Sequence, residues 1–240
     1  MMPRASLHYT TLSLFACVEL AISTASSYGD EINASVSTNA VEAGHSLHGE
    51  AFNEGPRQSA WLMPGTGKVS LKVKTKNREA QTFFNQGVAQ LHGFWYFEAE
   101  RSFRQAAFYD TNCAMAYWGM AMANVNNSNR AAGFIGRARE LKTNASAREK
   151  LWIDAYHAYF TGTNSDTERG KAVVSSLENI IQKYPKELEA KTFLGFQVWD
   201  NEGKGLPVTS RESVDALMRE VLAVEPLHPI HHARIHLWNS

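Results

Sequence analysis

The sequence predicts an all-α fold. From Arg78 onward, apolar residues recur at the spacings of three and four that bury one face of a helix. Only one stretch, KVSLKVKTK at 68–76, alternates with the period of a strand, and no second candidate strand follows to pair with it. The connections between the helical stretches are short and contain glycine and proline, which end helices.

Composition narrows the classes of function. The chain has 240 residues, of which 44% are hydrophobic and 20% are charged, and its formal net charge is zero. This length suits one sizeable domain with tails. A balanced charge argues against a nucleic-acid-binding protein, because such proteins gain affinity from an excess of Lys and Arg that neutralises phosphates. We therefore expect no nucleic-acid partner.

The N-terminus is typical of an export signal. MMPR supplies positive charge, LSLFACVELAIS supplies a short apolar run, and small residues near Ala25 to Ser27 suit cleavage. We predict a signal peptide at 1–27 and an exported protein, periplasmic or secreted. The apolar run is too short to cross a bilayer, so no integral membrane span is expected. Residues 28–59 are rich in Ser, Asn, Ala, Glu and Gly and are predicted to be a disordered linker.

The two cysteines predict a fold without an internal disulfide. Cys17 lies inside the predicted signal peptide, which leaves Cys113 alone in a mature chain. Cys113 has no neighbouring cysteine in a CxxC motif and is interpreted as a small buried apolar residue. Packing alone must then stabilise an exported domain.

Residues 60–77 are predicted to form an extended segment that lies against the helices. Val69, Leu71 and Val73 face one way, and the lysines between them face the other. We interpret the lysines as a solvated face, with contact to an anionic membrane surface as the alternative.

Helices are predicted over most of the remaining chain. A capping box at Ser146–Glu149 predicts one helix start, because the Ser hydroxyl and the Glu carboxylate each accept a hydrogen bond from the other's backbone amide. The predicted helices are 78–92, 96–109, 113–124, 130–142, 146–160, 166–184, 188–199, 211–224 and 229–238.

One pair of these helices carries a repeat pattern. Gly87 allows a close crossing, Ala99 faces it twelve residues later, and Phe103 and Ala106 continue the same face before Asp110 ends the unit. This unit resembles a tetratricopeptide repeat (TPR), with Thr at 111 where that family usually has Pro. Later stretches, such as CAMAYWGMAMAN and the Leu194–Gly195 pair, resemble the family more loosely. The predicted repeat-packing residues are Gly87, Ala99, Phe103, Ala106, Leu194 and Gly195.

The resemblance, which extends to exported bacterial TPR proteins, implies a solenoid of antiparallel helix pairs over 78–240 with an incomplete last repeat. It also implies a concave groove lined by Gln81, Phe84, Val88, Met115, Trp118 and Met122. An apolar groove suits an amphipathic helix or an extended apolar segment, and the chain's own Trp61–Thr75 stretch could also occupy it. Packing between repeats is the alternative role for the aromatic residues. The predicted function is a non-catalytic protein- or peptide-binding scaffold without a cofactor.

Motifs for catalysis are not found in the sequence. PGTGKV at 64–69 lacks the first Gly and the final Ser or Thr of a phosphate-binding loop, because Leu62 and Val69 stand at those positions. No GxSxG, HExxH or CxxC motif occurs, and no carboxylate pair stands out as an acid–base couple. We therefore assign no catalytic residue.

The stretch LHPIHHARIHLWNS offers an alternative function. Pro229 suits the first position of a helix, and His232 and His236 then lie one turn apart on the same face. Two imidazoles at this spacing can reach one divalent metal, with His228 as a third ligand and an oxygen from Glu225. The alternative is therefore a metal-binding protein or a metal-dependent enzyme. Because the last helix lacks a following partner, we expect Ile235 and Leu237 to be uncovered and available for self-association.

Overall fold

The computed structural model describes residues 55–56 and 58–239. The predicted signal peptide, 1–27, lies outside the described residues, as does most of the predicted linker, 28–59. Across the described residues the protein has nine α-helices and no β-strand, so the all-α prediction is confirmed at that level. The helices are α1 (Arg78–His92), α2 (Tyr96–Tyr109), α3 (Ala114–Met122), α4 (Ser128–Glu140), α5 (Ala147–Thr161), α6 (Asp166–Lys183), α7 (Leu188–Asp200), α8 (Arg211–Val224) and α9 (Ile230–Asn239).

Polar side chains fix most of the helix starts. Asn77 accepts the Ala80 amide at the start of α1, and Ser210 accepts the Ser213 amide at the start of α8. The capping box predicted at Ser146–Glu149 is present. A second capping box, between Ser165 and Glu168, begins α6. Each helix that has such a cap keeps one or two terminal amides hydrogen-bonded.

Each helix packs against the next one along the chain, and α1 also contacts α3 and α9. Glycines allow two of the close crossings. A Cβ added at Gly87 would lie 2.7 Å from Cε1 of Phe103, and one at Gly195 would lie 3.1 Å from Cε of Met218. Gly119 of α3 also packs closely against the Phe103 ring. The crossing inferred at Gly87 is therefore present, and Gly119 is the small residue of α3 that makes the equivalent contact.

The remaining predicted packing residues also lie in the interior. Ala99, Phe103 and Ala106 are buried, and Leu194 is half-buried. Cys113 is buried as well, and burial raises the pKa of its thiol to about 12. A thiol in this state is a packing group and is not a nucleophile.

The centre of the core is aromatic. Trp118 contacts the rings of Phe84, Trp152, Tyr156 and Phe193, which come from α1, α5 and α7. The Nε1 atoms of Trp118 and Trp152 and the hydroxyl of Tyr156 are buried without a hydrogen-bond partner. These rings hold four helices together through apolar contact.

The extended segment, residues 60–77, packs against the helices. Leu71 and Val73 are buried in the main core, whereas Lys72 and Lys74 are exposed, which is the alternation that the sequence pattern predicts. Side chains of α1 and α5 hydrogen-bond to the backbone of this segment. The segment therefore belongs to the folded structure.

Helices α8 and α9 form a second, smaller core. Leu237 is fully buried there with Met218 and Val221, so the expectation that Leu237 is uncovered is wrong, because α8 covers it. Ile235 and Trp238 are exposed on the other face of α9. Self-association through that face stays a prediction. None of the helices in the described part of the chain is long and apolar enough to cross a membrane.

Candidate functional site

A buried carboxylate joins three distant parts of the fold. Oε2 of Glu189 lies 2.8 Å from Nε2 of His92, and its Oε1 lies 2.8 Å from Nε2 of His228. His92 is the last residue of α1, Glu189 is the second residue of α7, and His228 precedes α9. All three side chains are buried. We call this group the His–Glu–His cluster.

The backbone around His228 fixes which nitrogen carries its proton. The Ile230 amide donates to Nδ1 of His228 across 3.1 Å, so Nδ1 accepts and Nε2 carries the hydrogen that is donated to Glu189. His92 likewise donates from Nε2 to the other carboxylate oxygen. Both oxygens of the buried carboxylate are thus hydrogen-bonded, as a buried charge requires.

The two histidines keep Glu189 ionised. Burial by itself would raise the pKa of this carboxyl, but the positive charge of His92 and the hydrogen bonds from both rings outweigh it and lower the pKa to about 2. Glu189 is therefore a carboxylate throughout the ordinary pH range. The cluster is an electrostatic and hydrogen-bonded link between α1, α7 and the turn before α9.

The His–Glu–His cluster has the residue types of a metal site, and one ligand atom from each residue lies within 4.8 Å of the others. Its hydrogen bonds nevertheless fit a metal poorly. A histidine that ligates through Nε2 normally donates its Nδ1 hydrogen to an oxygen, yet Nδ1 of His228 faces the Ile230 amide, which is itself a donor. The cluster is better described as a structural link than as a metal centre.

A second pair of histidines lies on α9. Nε2 of His232 and Nε2 of His236 are 3.1 Å apart, and Nδ1 of His232 donates to the backbone carbonyl of His92 across 2.9 Å. His232 and His236 are both half-buried. The prediction that these two side chains share one face of a helix agrees with this geometry.

Phe94 covers this histidine pair. Its ring centroid lies 4.5 Å from that of His232 and 5.2 Å from that of His236, and Trp199 contacts both Phe94 and His236. Phe94 has φ 59°, a left-handed conformation that helices usually reserve for glycine at this terminal position. Such conformations cost about 1–3 kcal/mol and often occur at functional sites. The Phe94 ring thus lies over the histidine pair although its backbone adopts an unfavourable conformation.

The predicted metal ligands therefore separate into two groups. His228 uses both ring nitrogens elsewhere and is not directed to the His232–His236 pair. The Glu225 carboxylate accepts a hydrogen bond from the Leu227 amide, as is common in a turn. The sequence pattern did not point to His92 or Glu189 as members of a site.

The predicted groove residues lie beneath the extended segment. Gln81 is half-buried and binds the backbone of Leu71 and Val73. The other five are buried in the same core as those two side chains: Phe84, Val88, Met115, Trp118 and Met122. Burial of these side chains agrees with both alternatives, packing between repeats and occupation of the groove by the chain's own Trp61–Thr75 stretch, and the groove itself stays a prediction.

An open cleft of about 750 Å³ lies next to the histidines. Its lining includes Gly67, Trp95, Leu227, His231 and His232. Trp95 and Leu227 are also two of the more exposed large apolar side chains among the described residues. One edge of the cleft is set by the extended segment, because the Lys68 amide donates to the Leu227 carbonyl.

In comparisons with known proteins, the chain matches no family model, no curated protein and no solved structure. The TPR resemblance therefore stays a prediction that depends on the residues of the repeat unit.

Proposed function

We propose that the protein is a non-catalytic scaffold of TPR-like helix pairs that binds extended polypeptide outside the cytoplasm. The proposal depends chiefly on how the helices hold the extended segment. Nε2 of Gln81 donates to the Leu71 carbonyl and its Oε1 accepts from the Val73 amide, both across 2.9 Å. A single side-chain amide thereby binds two backbone groups of an extended chain.

The same arrangement occurs one turn and a half further along α1. Nε2 of Gln86 donates to the Trp61 carbonyl across 2.9 Å, and its Oε1 accepts from the Met63 amide across 2.8 Å. Helix α5 adds the Glu149 carboxylate, which accepts from the Lys74 amide. Contacts of this kind recognise any extended backbone, and specificity then comes from alternate side chains, here Leu71 and Val73, that enter apolar pockets.

Other features support the scaffold interpretation. Consecutive helices pack in sequence, and the close crossings at Gly87 and Gly195 are those that the repeat pattern predicts. The extracytoplasmic location depends on the predicted signal peptide, 1–27. The extended segment itself indicates the class of ligand. We expect the ligand to be an extended polypeptide with apolar residues two positions apart and polar or basic residues between them.

A peptide-exchange experiment tests this proposal. In a full chain that carries Leu71→Ser and Val73→Ser, the extended segment should detach more readily, so that a labelled peptide with the native sequence of residues 58–77 binds in its place. We expect saturable fluorescence polarisation for this variant and much weaker binding for the wild type, whose own segment competes.

The matched control is Lys72→Ser with Lys74→Ser, which alters the exposed side chains of the same segment and leaves the two apolar contacts in place. We expect this control to bind the labelled peptide as weakly as the wild type does. Failure of the Leu71/Val73 variant to bind the peptide, with its helical circular dichroism retained, would contradict the proposal.

A further inference from the structure

We propose that His232 and His236 bind one late first-row divalent metal ion, with Cu²⁺ bound most tightly. Both ligands lie on α9, whereas the side chains that hold the extended segment lie on α1 and α5, so this site does not depend on the scaffold proposal. It also differs from the three-histidine site predicted from the sequence, because His228 takes no part.

The distance between the two nitrogens suits a shared metal. Nε2 of His232 and Nε2 of His236 are 3.1 Å apart. With metal–nitrogen distances of about 2.0–2.1 Å, this separation gives an angle of about 100° at the metal, between square-planar and tetrahedral values. The two rings therefore need little movement to become ligands.

The hydrogen bond on the far side of His232 has the pattern of a metal-ligating histidine. Its Nδ1 hydrogen is donated to the His92 carbonyl, which can only accept, so the Nε2 lone pair is directed towards His236. In the metal-free pair, His236 donates its own Nε2 hydrogen to that lone pair. Metal binding requires His236 to change to the neutral form protonated on Nδ1, and no proton has to be released.

The surroundings leave room for water on the metal. Phe94 and Trp199 cover part of the pair, while His232 also lines the open cleft of about 750 Å³. Two protein ligands with open coordination positions favour Cu²⁺ over Ni²⁺ and Zn²⁺, following the usual order of stability for divalent ions with nitrogen ligands.

Calorimetric titration of the untagged full chain with Cu²⁺ at neutral pH tests the site. His232→Ala and His236→Phe should each weaken binding by at least about tenfold, since each removes a ligand. Phe is chosen at position 236 because its ring can keep the packing contacts with Phe94 and Trp199, so that the variant remains folded. His231→Ala is the matched control, because this exposed neighbour is bonded to the Pro226 carbonyl and its loss should leave binding unchanged.

Electron paramagnetic resonance of the Cu²⁺ complex gives an independent readout. The wild type should show coupling to two imidazole nitrogens, and His236→Phe to one. Equal binding by the wild type and a His232→Ala/His236→Phe double variant would overturn the proposal. It would also be overturned if Glu189→Gln abolished binding while the double variant retained it, since the metal would then lie in the His–Glu–His cluster.

Discussion

The carboxylate of Glu149 accepts a hydrogen bond from the backbone amide of Lys74 across 2.6 Å, although the two residues are 75 positions apart. The other carboxylate oxygen accepts from the Ser146 amide and completes the capping box of α5. One side chain thus begins a helix and also holds the extended segment against it.

Glu149→Ala should therefore lower the free energy of unfolding by more than the loss of a helix cap alone would. The matched control is Glu168→Ala, which removes the same capping position from α6, where the carboxylate is exposed and bonds only within its own cap. We expect losses in free energy of unfolding of about 0.5–1 kcal/mol for Glu168→Ala and about 2–3 kcal/mol for Glu149→Ala. Urea denaturation measures both. Limited proteolysis should cleave residues 60–77 faster in the Glu149 variant, and equal cleavage rates would argue against the second role.

Two Gly→Ala substitutions should have opposite effects on the stability of the protein. A Cβ at Gly87 would lie 2.7 Å from Phe103, whose ring cannot move freely because it is fully buried and Gly119 also packs closely against it. We expect Gly87→Ala to destabilise the protein by about 1–3 kcal/mol. At Gly136 in α4, an added Cβ meets nothing within 4 Å, so Gly136→Ala should stabilise it by about 0.5–1 kcal/mol. Chemical denaturation should separate the two, and a neutral Gly87→Ala would show that the α1–α2 crossing is loose.

Tyr156→Phe should stabilise the protein. The Tyr156 hydroxyl is buried among aromatic rings without a hydrogen-bond partner, and burial raises its pKa above the ordinary value. Removing an unsatisfied buried hydroxyl without changing the ring should recover about 1 kcal/mol or more. Thermal and urea unfolding would measure the gain. A clear loss of stability would instead mean that an ordered water molecule satisfies the hydroxyl.

Glu189→Gln should change how stability depends on pH. In the folded protein the pKa of Glu189 is about 2, below the ordinary value of 4.5 for a glutamate carboxyl in water. The carboxylate therefore contributes its full stability above about pH 4.5, and this contribution, about 3 kcal/mol, is lost as the pH falls towards 2.

We expect Glu189→Gln to be less stable than the wild type at neutral pH and to lose less stability on acidification. Free energies of unfolding, measured in urea at several pH values between neutral and strongly acidic, provide the comparison. The other carboxylates are the same in both proteins, so the difference reports on Glu189 together with the two histidines bonded to it. Parallel curves would show that the two histidines do not stabilise the carboxylate.

Local features of the sequence predicted the helices well. The bounds of α1, α2 and α8 agree with those predicted, because a capping residue or a turn fixes each end. The other helices differ by one or two residues at one or both ends, where terminal turns become irregular. The crossing at Gly87 was also predictable, because a glycine that stands opposite a bulky ring in a repeat unit allows two helices to approach closely.

The buried His–Glu–His cluster could not be predicted in this way. Glu189 is 97 residues from His92 and 39 from His228, and no periodic pattern connects positions so far apart. Glu189 stands in the first turn of α7 among charged residues, where a carboxylate is ordinarily solvated. The sequence groups His228 with its neighbours in the histidine-rich stretch, yet the turn before α9 directs it away from them. The packing of α1 and α7 against the region around α9 brings these groups together.

The contact between α1 and α9 also bears on how the chain folds. In an array of helix pairs that touch only their neighbours, units can unfold one at a time from either end. Here α1 and the turn before α9, which lie at the two ends of the described helical region, are joined through one carboxylate on α7, so neither can separate without breaking that link. We expect a single cooperative unfolding transition over residues 78–239 and, because these contacts raise the contact order, slower folding than in an open helical array of similar length.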